Sequence, residues 1–241
     1  MKTSKHLILI VLLAAFGQSQ ACTNFLITKG ASVDGSNFIS YCADSHIRYG
    51  ELYFTPAADW PAGSMRVCYD RGTNAPRGSV PQPAHTYQVV GYITENQVAL
   101  GETTFVGREE LVDPTGIVDY GSLMFIALER STSAREAIKI MADLVDEYGY
   151  GSDGESFSIS DPTEVWYMEM MPKGPEKGAV WVAIRIPDGY VSGHANAARI
   201  TTFPLRNGKT SITDKDWKKL YNKDVEVIYK GMRWFKSLPM T

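Results

Sequence analysis

Two helix-forming stretches stand back to back in the middle of the chain, with hairpin-forming sequence on either side. Residues 120–130 carry apolar side chains at Leu123, Met124, Ala127 and Leu128. A second stretch begins at Ser133, with Glu136 three residues on, the pattern of a capping box. Its apolar positions are Ala134, Ala137, Ile138, Met141, Leu144, Val145 and Tyr148, which fall on one helical stripe, and Gly149 is placed to end it. Each helix must bury its stripe against something. The flanking segments alternate with period two and turn at Asp-Gly, Asp-Pro and Pro-Asp-Gly. Strands, then two helices, then strands predict an α+β layered fold, with helices on one face of antiparallel sheet. There are no alternating strand–helix units and no GxGxxG, so a Rossmann fold is not expected.

The expected hairpins can be placed. Cys22–Thr28 and Phe38–Tyr41 flank a turn at Val33-Asp34-Gly35-Ser36. Tyr87–Ile93 and Gln97–Leu100 flank Thr94-Glu95-Asn96. Ser156–Ser160 and Val165–Met170 flank Asp161-Pro162-Thr163-Glu164. Val180–Arg185 and Tyr190–Gly193 flank Pro187-Asp188-Gly189. Residues 55–86 read as loop with short strands.

The first residues indicate the compartment. Lys2 and Lys5 precede the apolar run Leu7–Phe16, and small residues surround Gln20. That order predicts a secretory leader over 1–21, hence an exported protein, and the run is too short for a stable membrane span. Loss of Lys2 and Lys5 would take the formal charge from −3 to −5. With no basic stripe, nucleic acid is not an expected partner. The three cysteines Cys22, Cys42 and Cys68 cannot all pair internally, so at least one thiol is free. A Cys42–Cys68 bridge stays open at this point. No His/Cys cluster has metal-ligand spacing, and no cofactor is expected.

Cleavage after Ala21 would put a thiol and a free α-amine on one residue, Cys22. The reference pKa of an α-amine is about 7.7–8.0 and that of a thiol about 8.5, so proton transfer between them is nearly thermoneutral. Such a residue holds both nucleophile and general base. A structural thiol and a lipid-anchored cysteine are the competing readings, although Ser19 and Gln20 fit a lipidation signal poorly.

The segment CTNFLITKGASVDGSNFISYCADSH resembles the mature start of dipeptidase A-type peptidases. These are N-terminal-nucleophile cysteine hydrolases, related to secernins and more distantly to bile salt hydrolases and penicillin V acylases. Further similar stretches are NQVALGETTF, DYGSLMFIALERSTSAREAI, GESFSISDPTEVWYMEM and VWVAIRIPDGYVSGHANAARITTF, in that order over residues 22–204. The resemblance implies an αββα sandwich and hydrolysis of dipeptides or similar small amides. It implies that Cys22 is the nucleophile, that Asp44 anchors the α-amine, and that Asn196 assists the oxyanion or substrate carbonyl. Glu102, Thr103, Thr104, His194 and Arg199 become expected cleft residues, with His194 more structural than catalytic. Two departures accompany it. Relatives carry Arg-Asn where this chain has Tyr41-Cys42, and they run on well beyond the HANAAR segment. Residues 205–241 are expected to be a divergent tail, an incomplete continuation of the domain. A small peptide is the expected partner, and homo-oligomerisation is left open. The alternatives are an acylase of bile-salt or penicillin V type, and an inactive lipid-anchored or truncated homologue.

Overall fold

The computed structural model describes residues 21–44, 50–201, 203–204, 208–215 and 235–236. The expected leader therefore lies outside the described residues apart from Ala21, as does most of the expected tail. The strands are β1 (Ala21–Ile27), β2 (Phe38–Asp44), β3 (Phe54–Thr55), β4 (Ala58–Asp59), β5 (Met65–Tyr69), β6 (Pro76–Pro81), β7 (His85–Thr86) and β8 (Val89–Val90). They continue with β9 (Ile93–Thr94), β10 (Ala99–Val106), β11 (Gly154–Ser160), β12 (Val165–Pro172), β13 (Ala179–Arg185), β14 (Tyr190–His194), β15 (Ser211–Thr213) and β16 (Phe235–Lys236). Helices α1 (Tyr120–Arg130) and α2 (Ala134–Tyr148) lie between β10 and β11.

Both helices start on caps. The Asp119 carboxylate accepts from the Ser122 amide at 2.7 Å, and the Ser133 hydroxyl accepts from the Glu136 amide at 3.2 Å. The Glu136 carboxylate reaches back to the amide of Thr132, one residue earlier than a standard capping box. Gly149, at φ 80°, closes α2 by donating to the Val145 carbonyl.

The chain is α+β, as its element order predicts. A larger antiparallel sheet runs β15-β13-β12-β11-β10-β9-β8-β3, and a smaller one runs β16-β14-β1-β2. One face of the larger sheet receives the helices. Leu123, Ile126, Leu128, Ile138 and Met141 form one core with Phe157, Ile159, Trp166, Met168 and Trp181. Full burial of each such side chain contributes about 1.5–3 kcal/mol. The smaller sheet lies on the other face, where β1 and β2 pack against β10 and β11. Leu26, Val165, Tyr167, Val180, Ile184 and Ile186 form that second core. Close approach of the sheets depends on Gly101. A Cβ there would lie 2.9 Å from the Asn24 amide nitrogen and 3.0 Å from Tyr41 Cβ.

Two expected hairpins differ. Tyr87–Ile93 does not form one strand. At Gly91, φ 58°, the chain reverses and pairs β8 with β9. The segments around Pro187-Asp188-Gly189 do not pair with each other. There β14 leaves the larger sheet and pairs with β1, with Asn24 opposite His194. The vacant edge of β13 is taken by β15. Alternation shows that a segment is a strand but not which neighbour it joins.

Candidate active site

Register determines where the Cys22 side chain points. Cys22, Asn24 and Leu26 share one face of β1; Asn24 and Leu26 are fully buried against the larger sheet, while Phe25 on the opposite face is half exposed. Cys22 therefore faces between the sheets at the end of β1, half-buried, with Ala43 as its strand partner. Cys42 pairs with Thr23 and lies on the outer face. All three cysteines are free, Cys68 being buried under α1 and Cys42 exposed, so the bridge left open above is not formed.

Asn196 lies in the loop after β14, 174 residues from Cys22 in sequence. Its Oδ1 accepts a hydrogen bond from the Cys22 nitrogen at 2.5 Å, while its Nδ2 donates to the Thr104 carbonyl at 2.7 Å. The resemblance led us to expect this amide at the oxyanion. In the structure its acceptor end holds the Cys22 nitrogen, and one donor is committed to β10. The loop is pinned from two strands. Thr103 Oγ1 on β10 donates to the Ala195 carbonyl at 2.9 Å. Glu169 on β12 accepts from the Arg199 and Ile200 amides at 2.5 and 3.0 Å, and from Tyr167 at 2.6 Å. Burial drives the Glu169 carboxyl above its ordinary range, opposed by those three donors.

Asp44 is exposed at the end of β2. Its carboxylate accepts from the Cys42 thiol at 3.2 Å. It is Asn196, and not the Asp44 carboxylate, that meets the Cys22 nitrogen. Burial pushes the Cys22 thiol up, and the nearby Glu102 charge adds to this. The Asp44 amide and the Asn196 side chain act in the other direction.

His194 is fully inside. Thr103 has one hydroxyl proton, given to Ala195, so at 2.7 Å from Nδ1 it must accept; Nδ1 then carries the ring proton. Nε2 is left to accept from Ser158 at 2.7 Å. Burial, with the Arg199 charge second, holds the ring pKa down to about 3. A neutral ring with both nitrogens engaged is a structural strut. Thr103 is equally committed. Arg199 is exposed on the pinned loop. The Thr104 hydroxyl donates to Glu155 at 3.1 Å.

Sequence reasoning missed that a second acid, Glu155, sits beside Glu102 near Cys22. Glu102 on β10 and Glu155 on β11 are both buried, and the Tyr41 hydroxyl donates to Glu102. Tyr41 occupies the position where an arginine was expected. The only available signal for Glu155 was an acidic residue opening an otherwise Ser/Phe/Ile strand. A cleft of about 740 Å³ runs along the β2 edge between the sheets, lined by Phe38, Ile39, Tyr92, Leu100 and Asp161. Tyr41 lies at its end nearest Cys22 in register. Among the described residues, no group of three or more His, Cys, Asp or Glu side chains could hold a metal, and no helix is long and apolar enough to cross a membrane.

Residues 21–230 match Peptidase family C69. A "Probable dipeptidase" of Latilactobacillus sakei is 31% identical over 199 residues, covering 75% of this chain and 40% of that protein. A "Probable dipeptidase" of Salmonella dublin is 27% identical, covering 81% of this chain and 47% of that protein. "Probable dipeptidase B" of Streptococcus pyogenes serotype M1 is 24% identical, covering 85% and 43%. The chain thus spans under half the length of these curated relatives.

Proposed function

The chain belongs to peptidase family C69, and we propose that it is an exported cysteine dipeptidase built as an N-terminal-nucleophile sandwich. The observation that carries this reading is the contact at Cys22. Its nitrogen rests on Asn196 Oδ1 at 2.5 Å while its half-buried thiol faces between the sheets at the end of β1, so the residue is held by the atom that would become the base. Removal of residues 1–21 would make that nitrogen an α-amine. The amine takes the thiol proton, and the sulfur attacks the scissile carbonyl to give a thioester. The amine returns the proton to the departing amino group, then activates the water that releases the acid.

Asn196 in this reading orients the base, and its remaining Nδ2 hydrogen is the candidate donor to the oxyanion. Asp44 stabilises the charged amine from the exposed side. Thr103 and His194 hold the loop; Thr104 ties Asn196 to β10. Arg199, exposed on the same loop, is the candidate partner of a substrate carboxylate. The β2-edge cleft falls within the size range of small-molecule sites.

The test combines the intact mass of the exported protein with hydrolysis of a dipeptide panel and of a glycine-conjugated bile acid. We expect a chain that starts at Cys22 with an unmodified nitrogen, dipeptide cleavage, and loss of cleavage in Cys22→Ala. Cleavage of the conjugate alone would assign the acylase reading. A start elsewhere, or a lipid adduct at Cys22, would refute the mechanism.

A further inference from the structure

Two buried oxygens of the site lack a hydrogen-bond donor, Glu102 Oε2 and Glu155 Oε1. They belong to the same pair of side chains. The other oxygens are satisfied, Glu102 Oε1 by the Tyr41 hydroxyl and Glu155 Oε2 by Thr104 Oγ1 at 3.1 Å. The two residues lie diagonally across the β10–β11 ladder, where Thr104 pairs with Glu155 and Glu102 with Phe157, so their side chains are neighbours on one face and Glu102 bears on the Glu155 proton. Two carboxylates cannot bond without a proton between them. One proton satisfies both orphaned atoms, whereas none leaves two buried acceptors and two like charges in contact. Neither residue has a salt bridge among the described residues.

We propose that Glu102 and Glu155 form a dyad holding a single proton, with Glu155 the acid and Glu102 the anion, and that its one fixed negative charge positions the proton on the Cys22 nitrogen. The protonated partner is assigned by environment. Glu155 is fully buried, and burial keeps its proton on well above the ordinary carboxyl range. Glu102 receives the Tyr41 hydroxyl and would receive the Glu155 proton, and two donors stabilise an anion. The other ionisable groups facing the dyad are Cys22 from β1, Tyr92 beside β9 and Tyr150 before β11. Arg71 acts on Tyr92 and Tyr41, and Asp119 on Tyr150. The dyad also touches the nucleophile through the frame. Thr104 donates to Glu155 through its hydroxyl and accepts from Asn196 through its carbonyl, and Asn196 holds the Cys22 nitrogen. A negative charge here stabilises a proton on the Cys22 nitrogen and also disfavours the thiolate, so it raises the pH at which Cys22 becomes reactive.

The role in proton positioning rests on the α-amine base proposed above; the shared proton does not. Infrared difference spectroscopy of the purified mature protein tests the latter without substrate. At about pH 8 the wild type should show the carbonyl stretch of a protonated carboxylic acid, lost in Glu155→Gln; no such band overturns the dyad. The role is read from the pH dependence of Cys22 alkylation by iodoacetamide, followed by mass. Glu155→Gln keeps a neutral donor to Glu102 and should leave the profile in place. Glu102→Gln removes the charge and should move the profile down by about one pH unit, with kcat/KM falling about tenfold. An unmoved profile in Glu102→Gln, or equal losses in both variants, would leave the pair as packing only and overturn the role. If the mature chain does not start at Cys22, the infrared result still decides whether the proton is shared.

Discussion

His194 predicts a specific acid sensitivity. In the unfolded chain its pKa is about 6.5; in the fold it is held to about 3 by burial and, secondarily, by Arg199. A histidine depressed in the folded state contributes nothing unfavourable above its unfolded pKa. As pH falls below about 6.5, the unfolded chain gains a proton that the folded chain refuses, so stability declines until pH reaches about 3. The full shift corresponds to about 5 kcal/mol, and at pH 5 the loss is about 2 kcal/mol. Glu155 and Glu169 act oppositely: burial raises both above their unfolded values, so lowering the pH favours the fold, which binds their protons more tightly than the unfolded chain does. The wild-type profile is therefore a sum, and a difference isolates the histidine. Urea unfolding of wild type and His194→Gln at about pH 7.5 and about pH 5 is the assay. Gln does not titrate, so the gap between the two proteins should narrow or reverse by about 2 kcal/mol on acidification. An unchanged gap would mean that the ring is protonated in the fold, and the proton count through Thr103 and Ser158 would be wrong.

Asn196→Ala removes the acceptor of the Cys22 nitrogen and the tie to Thr104; kcat/KM against a cleaved dipeptide should fall about 10²-fold while circular dichroism is unchanged. Gly101→Ala places a Cβ at 2.9–3.0 Å from Asn24 and Tyr41; it should cost about 1–3 kcal/mol by denaturant unfolding and lower activity through the displaced strands. Ser133→Ala loses the α2 cap and should cost about 1 kcal/mol with activity retained.

The helices were legible because a stripe of seven apolar residues and two caps are local signals; both match the structure to within a residue at the start of α2. The hairpins β1–β2 and β11–β12 were legible for the same reason. β14 was not, because its partner β1 is far away in sequence and nothing within Tyr190–Gly193 names it. At the site, Cys22 and Asn196 were singled out together, but what Asn196 does depends on which end of its amide faces the nitrogen, a matter of tertiary geometry. Glu155 escaped because a buried acid resembles a surface acid until its neighbours are known, and here the neighbour that matters, Glu102, comes from another strand.

The switch of β14 from one sheet to the other has a consequence for the order of assembly. The strand bearing Cys22 is made first, yet its inner edge stays open until the segment 190–196 has been synthesised and has crossed over. Closing so large a loop is entropically slow. Hydrogen exchange during refolding should therefore show the β10–β13 strands and their helices protected before β1, so that the Cys22 sulfur acquires its setting only after the scaffold beneath it has formed.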